Sequence, residues 1–319
     1  MKDSKVTVLM SVYNGEKYLR EAIDSILNQT FRDFEFLIIN DGSTDRTMEI
    51  LRSYHDRRIK IINNERNMGL TKSLNKGLKM ARGEYIARMD ADDISMPDRL
   101  KKQVDFLDAH QDYAVVGTFV KILNKDSEVI YLPERPIEDT EIRGFLKRDN
   151  CIAHGSVMIR KTCLLDVGLY DELMERSQDY ELWLRLSEKY RLANIPNYLY
   201  MWRRHKENIE AKYIKEQKIF VVLAMVKNNI LDIEQASRQL INIIVEKKFV
   251  LKYKPLTIVF LFISILTFNR IGHSTLYKVL YRIRFSRKIN EILMDFKIGR
   301  ISFKKAKSNL KDIINMRLI

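Results

Sequence analysis

An α/β fold built on a mostly parallel sheet with flanking helices is what the sequence predicts, and three observations predict it. Across the first hundred residues, short apolar runs alternate with segments of helical spacing, the pattern of strand-then-helix units. The composition, 46% hydrophobic and 31% charged with only 11 Gly and 5 Pro in 319 residues, is that of a folded, helix-rich chain and excludes collagen-like and disordered classes. The two cysteines, Cys151 and Cys163, match neither a disulfide framework nor a paired metal spacing, so they read as buried thiols in a reducing compartment.

The elements follow in order. Residues 6–12 form an apolar strand ending at Tyr13-Asn14-Gly15, and Tyr18, Leu19, Ala22, Ile23, Ile26 and Leu27 then fall at helical spacing. Residues 34–39 are a second strand that stops at Asn40-Asp41-Gly42-Ser43, and a helix carrying Met48, Leu51 and Tyr54 follows. Residues 59–62 give a third strand; Leu70, Leu74, Leu78 and Ala81 line a third helix that Gly83 is expected to end. Residues 85–89 are a fourth strand. Ser95-Met96-Pro97-Asp98 reads as a helix opening with Ser95 as its cap, and Leu100, Val104 and Leu107 line the face behind it. From 111 to 200 the pattern loosens, with strands expected at 113–120 and 156–159 and a helix at 179–190. Beyond 210 the chain reads as helical. The expected organisation is one domain over 1–210 and a basic, mainly helical region over 211–319, with a soft boundary between 205 and 245.

In parallel sheets of this kind ligands bind at the carboxyl ends of the strands. The strand ends supply Tyr13, then Asp41, then Asp90 with Asp92 and Asp93. Several carboxylates at one strand end repel one another, and a hard divalent cation is the usual reason to tolerate them. The Ca²⁺ loop of an EF-hand does not fit, because Lys101 falls where its bidentate Glu belongs. Mg²⁺ or Mn²⁺ held by one or two carboxylates and by substrate phosphates fits better. The ordinary alternative is an acidic, solvated turn. Asp41 is a candidate to accept a hydrogen bond from a nucleobase or ribose, and Tyr13 to stack on a base, although a turn and a packed ring are their ordinary readings. Spaced dinucleotide-binding glycines and a P-loop are both missing, which removes dehydrogenases and P-loop NTPases.

Four motifs in order, residues 6–15, Asn40-Asp41-Gly42-Ser43-Thr44-Asp45, Asn67-Met68-Gly69-Leu70 and residues 83–93, resemble glycosyltransferase family 2, the bacterial polysaccharide type with a GT-A type, Rossmann-like fold. The resemblance covers roughly residues 5–208 and weakens beyond. It implies that Ser11, Tyr13 and Asp41 hold a nucleoside, that Asn67, Gly69 and Arg88 line the donor site, and that Asp90 and Asp92 are the outer residues of an Asp-x-Asp motif. Asp90 would then lie near the ribose and Asp92 on the metal, with Asp90 and His205 as further candidate ligands, while Asp93 shapes the pocket. Asp179, in Ser177-Gln178-Asp179-Tyr180-Glu181, resembles the family's general base, with Gln178 in place of the usual Glu. Its alternative is an acid favoured by a helix N-terminus, worth ~0.3 to 1 kcal/mol. His154 and Gln178 fall on the acceptor side, and Arg203 and His205 in the segment that closes over the diphosphate.

The function so implied is an inverting, divalent-metal-dependent transfer of a single sugar, a hexosyl or N-acetylhexosaminyl group, from a nucleoside diphosphate sugar such as a UDP-sugar to a glycan or lipid-linked acceptor in cell-surface polysaccharide synthesis. The processive Q-x-x-R-W motif is missing. The alternatives are an inactive binding or scaffold protein of the same fold at the membrane, and a nucleotidyltransferase. Intact Asp90, Asp92 and Asp179 argue against the first, and the released product separates the second. Charge supplies the last expectation. Residues 247–319 hold 17 Lys and Arg against 3 Asp and Glu, the whole net +14 of the chain. With the apolar stretch 255–269, shorter than the ~17 to 25 residues of a spanning helix, this predicts peripheral attachment to an anionic membrane on the cytoplasmic face. The alternative is a helical domain packed on the core; nucleic acid is not expected, since no recognised motif accompanies the charge.

Overall fold

The computed structural model describes residues 4–205 and 208–232, together with 235, 236 and 239. The chain separates into two units between Ile214 and Lys215, and the first is the subject below. The basic stretch 247–319, its apolar segment 255–269 and its helix-spaced Ile289, Ile292, Leu293 and Phe296 lie outside the described residues. Among the described residues no helix is long and apolar enough to cross a membrane.

The first half is the expected alternation: β1 (Val6–Val12), α1 (Leu19–Leu27), β2 (Phe34–Asn40), α2 (Thr47–Arg52), β3 (Ile59–Asn63), α3 (Leu70–Met80) and β4 (Tyr85–Asp90). β3, β2, β1 and β4 lie side by side, all parallel, in that order. Nearly every residue of β1 and β2 is buried, because helices cover both faces of the sheet. Val6, Val8, Met10 and Val12 pack with Phe34, Phe36 and Ile38 against Leu19, Ala22, Ile23 and Ile26 of α1. On the opposite face, α3 is packed so closely that Gly77 lies against Leu9 and Ile39. The period of two along each strand thus divides one apolar run between two helical layers.

After β4 the sheet becomes mixed. The remaining elements are β5 (Ile94–Ser95), α4 (Arg99–Ala109), β6 (Tyr113–Leu123), β7 (Val129–Tyr131), α5 (Asp139–Leu146), a 3-10 turn (His154–Ser156), β8 (Met158–Arg160), α6 (Lys161–Val167), α7 (Gln178–Lys189), β9 (Arg191–Arg203) and α8 (Ile209–Lys227). β8 lies antiparallel to β4, β6 antiparallel to β8, and β9 parallel to β6, with β5 on its far side and β7 on β6. The long β9 is not legible as a strand, because Asn194, Pro196 and Asn197 interrupt its apolar pattern. Its pairing with β6 shifts register in that region, after Thr118↔Ile195.

Two expected boundaries are corrected. Ser95 does not cap a helix: it is a strand residue paired with Tyr200, and its hydroxyl accepts from Gln29 Nε2 at 3.1 Å. α4 starts four residues later, after Asp98, with no side-chain cap. Gly83 does not end α3, which stops at Met80; its N–H instead donates to Thr7 Oγ1 at 2.8 Å, because the chain there passes directly under β1. Both cysteines are buried free thiols.

Candidate functional site

The carboxyl ends of β1, β2, β3 and β4 face one edge, and their loops are fastened to one another by side chains bonding to main chain. Asn14 donates its N–H to Ser43 Oγ at 3.0 Å while its Oδ1 accepts from Thr44 N at 2.8 Å. Gly15 N donates to Thr47 Oγ1 at 2.8 Å, Glu16 N to Asp45 Oδ2 at 3.0 Å, and Arg46 N returns to Glu16 Oε2 at 3.0 Å. These bonds hold the loop after β1 against the loop after β2. Ser11 lies in register with Asp90 across β1 and β4, and Tyr13, one residue past β1, is 48% exposed. An exposed ring at this edge is available to stack on a planar group.

Asp41 has a different setting from the one expected. It is 2% exposed, and its Oδ1 accepts from Asn64 Nδ2 at 2.8 Å and Met68 N at 2.9 Å, while Oδ2 accepts from Gly69 N at 2.9 Å. Asp41 therefore holds the 64–69 loop in place, with only Oδ2 keeping a lone pair to offer a ligand. Asn67 contributes through its side chain, which also accepts from Gly69 N, at 3.0 Å. Gly42 makes the approach possible. Its φ is +71°, and a Cβ there would stand 2.5 Å from the carbonyl carbon of Arg66.

The acidic end of β4 is the centre of the site. Arg88, 2% exposed, is ion-paired through Nη1 with Asp90 Oδ2. Burial opposes the guanidinium charge, but Asp90, Tyr200 and Tyr170 together outweigh it, and Arg88 is held above its ordinary value. Asp93 is 1% exposed and accepts Arg203 N at 2.8 Å; burial first, then Asp92 and Asp90, push its carboxyl well up. Tyr200, buried beside them, accepts from Asp90 N at 3.1 Å. Gly155 lies so close that a Cβ would come within 2.9 Å of Asp90 Oδ2.

Asp92 gathers a second set. Its Oδ2 is 2.9 Å from His205 Nε2 and 3.0 Å from Asn208 Nδ2, across more than a hundred residues of chain. A carboxylate oxygen facing an imidazole nitrogen is a donor set that Mn²⁺ or Mg²⁺ accepts, with the remaining positions left to phosphate oxygens. No group of three His, Cys, Asp or Glu able to hold a metal by itself occurs among the described residues.

Arg203 lies at the end of β9. It is 1% exposed, and its guanidinium donates to Glu21 Oε2 at 2.6 Å, Ser127 Oγ at 2.7 Å and the Asp92 carbonyl at 2.9 Å, over the ring of Tyr18. Each of its nitrogens makes one bond within the protein, so it fastens the end of β9 to α1.

On the other side of Arg88 lies the region expected to meet the acceptor. His154 is bonded through Nε2 to the Tyr170 hydroxyl at 2.7 Å; burial, then Arg88, keep the imidazole well below its usual value, hence neutral. Gln178 is buried in the first turn of α7. Asp179, next in that turn, accepts from Asn150 Nδ2 at 2.8 Å, and burial raises its carboxyl. Arg88 acts electrostatically on Asp90, Tyr170 and His154, and also on Asp179, where it is the least of the causes of the shift. Sequence reasoning missed Asn64, Asn150 and Asn208. Asn208 alone had a signal, three positions after His205.

Residues 7–170 match the family described as "Glycosyl transferase family 2". An uncharacterised glycosyltransferase of Methanocaldococcus jannaschii is 36% identical over 222 residues, covering 67% of this chain and 76% of that protein. The O-antigen biosynthesis glycosyltransferase WbnJ of Escherichia coli is 35% identical over 211 residues, covering 64% of this chain and 82% of that protein. Among solved structures, Staphylococcus aureus TarS 1–349 in complex with UDP-GlcNAc is similar with a TM-score of 0.60 at 19% identity, covering 98% of this chain and 90% of that one. At that identity the likeness is one of fold.

The assignment of Arg203 separates by experiment. Arg203→Met should lower stability by about 2 kcal/mol, below the usual cost of breaking a buried pair because Glu21 is half-exposed. A urea melt reads this directly. An unchanged midpoint together with weakened nucleotide binding would return Arg203 to the diphosphate.

Proposed function

The chain belongs to glycosyltransferase family 2 and is a glycosyltransferase, and from that premise we propose that it is an inverting, divalent-metal-dependent enzyme that moves a single sugar from a nucleoside diphosphate sugar, UDP-linked in the simplest case, to a glycan or lipid-linked acceptor. The observation that carries the reading is that the buried Arg88, ion-paired with Asp90, also acts electrostatically on Asp179. The relative named for O-antigen biosynthesis and the UDP-GlcNAc complex of TarS support polysaccharide synthesis and a UDP donor.

In this reading Tyr13 stacks on the base and Ser11, Asp41 and Asp90 meet the nucleoside, with Asn67, Gly69 and Arg88 around the donor. Asp92 and His205 would hold Mn²⁺ or Mg²⁺, which supplies Lewis-acid stabilisation of the departing diphosphate. His154 and Gln178 shape the acceptor side. Asp179 takes the proton from the acceptor hydroxyl as its oxygen attacks the anomeric carbon and the bond from that carbon to the diphosphate oxygen breaks. Its raised carboxyl suits a base, because a weak acid makes a stronger proton acceptor once ionised. One carboxylate acting on the face opposite the leaving group gives inversion. The same reading gives catalysis to residues 1–210 and contact with an anionic membrane surface to 211–319.

Two variants test it. Asp92→Asn should abolish transfer while leaving the fold intact, and EDTA should do the same to the wild type; full turnover in EDTA would remove the metal from the account. Asp179→Asn should leave UDP affinity nearly unchanged while transfer falls by roughly 10²- to 10⁴-fold, the usual share of a general base. Joint loss of binding and transfer would make Asp179 a structural residue.

A further inference from the structure

The loop that carries Asn150 is pinned more firmly than a connection between helix and turn requires. Arg135 Nη1 donates to the Asn150 carbonyl at 3.3 Å, Asn150 N donates to Asp149 Oδ1 at 2.8 Å, and Asn194 Nδ2 donates to the Pro136 carbonyl at 2.7 Å and the Cys151 carbonyl at 3.3 Å. Cys151 beside it is fully buried. The Asn150 side chain has a single workable orientation. Its Oδ1 accepts the N–H of Ile152 at 3.1 Å, so its Nδ2 is the atom that meets Asp179 Oδ2 at 2.8 Å. Turning the amide over would set oxygen against carboxylate and nitrogen against N–H, losing both bonds.

We propose that Asn150 is a positioning residue for the transfer reaction: it donates to one oxygen of Asp179 in fixed geometry, leaving the other oxygen for the acceptor hydroxyl. The inference rests on the reading of Asp179 as the base. A base in this setting faces two opposing demands. Burial raises its carboxyl, and a proton held too tightly leaves it inactive over much of the working range. The N–H groups of Tyr180 and Asp179, the Asn150 amide and the positive charge of Arg88 oppose that rise. Among the described residues, the charged and titratable groups that act on or respond to Asp179 include Arg88 from β4 and Tyr170 from the segment between α6 and α7. Asn150 is the uncharged member of this set. It can orient the carboxylate without neutralising it.

The test uses the full chain, with UDP release from UDP-N-acetylglucosamine followed across pH and the Asp179 side-chain carbon titrated by ¹³C NMR, its signal assigned by its loss in Asp179→Asn. Removing a donor that favours the ionised form raises the carboxyl pKa. Asn150→Ala should therefore move both the Asp179 titration and the acid limb of kcat/KM to higher pH by about one unit, as the loss of one hydrogen bond to a charged group implies. The affinity for UDP should stay the same. Asn150→Asp keeps the acceptor for Ile152 N–H and should move both readouts further. If Asn150→Ala leaves the titration and the limb in place, or only Asn150→Asp moves them, the positioning role is overturned while the base survives. If Asp179→Asn transfers sugar at the wild-type rate, the base reading falls and this inference with it.

Discussion

Three carboxylates within four residues, Asp90, Asp92 and Asp93, stand at the end of one buried strand, and the site is organised around the repulsion this creates. Each is answered by a different part of the chain. Arg88, two residues back on β4, pairs with Asp90; the main chain of Arg203 bonds Asp93; His205 and Asn208 reach Asp92. The last two answers come from the end of β9 and the residues after it. The acidic cluster thereby fixes where β9 ends, and Arg203 then ties that end to Glu21 on α1 and to Ser127 after β6. A strand of 13 residues that pairs with β6 along its length is held at its functional end by the acids it serves.

The division of labour follows from this. On one side the loops after β1, β2 and β3 are bound to one another by short polar bonds, so the edge that meets a nucleoside in the proposed reading is set before any ligand arrives. Preorganisation of that kind lowers the cost of binding. On the other side, His154, Tyr170 and Asp179 sit where burial shifts their titration, Asn150 donates to Asp179, and the buried Arg88 acts electrostatically on all three. A single buried cation that senses both the donor-side acids and the proposed base gives the two ends of the reaction a common electrostatic reference. Transfer chemistry needs both ends set together, because charge leaves on the diphosphate as a proton leaves the acceptor.

The parallel half of the fold was legible because its physics is local. Apolar runs such as Val6 to Val12 and helical spacing such as Leu19, Ala22, Ile23 and Ile26 specify strand and helix within ten residues. The mixed half was less so. β9 carries polar interruptions, α5 and α6 are short, and β5 has two residues that become a strand only by pairing with Tyr200 and Met201. At the site, the acids announced themselves by crowding, and His205 was found beside Asp92 as a pair suggested by motif. Arg203 is hard to read because an arginine that meets phosphate and one that ties two elements together look alike in sequence; its burial and its partners are what the fold adds. Asn64, Asn150 and Asn208 were missed for a related reason. An asparagine is ordinary in loops, and its role depends on which carboxylate the fold brings within 3 Å.

The central claim is that one carboxylate, Asp179, activates the acceptor on the face opposite the departing nucleotide. The configuration of the first-formed sugar tests it most directly. The full chain, given a UDP-sugar that it hydrolyses and Mn²⁺ with water as acceptor, should release a sugar whose anomeric proton, read by NMR before mutarotation, has the configuration opposite to that in the donor. Release with the donor's configuration retained would contradict a single-base displacement and require a different chemistry at the same site.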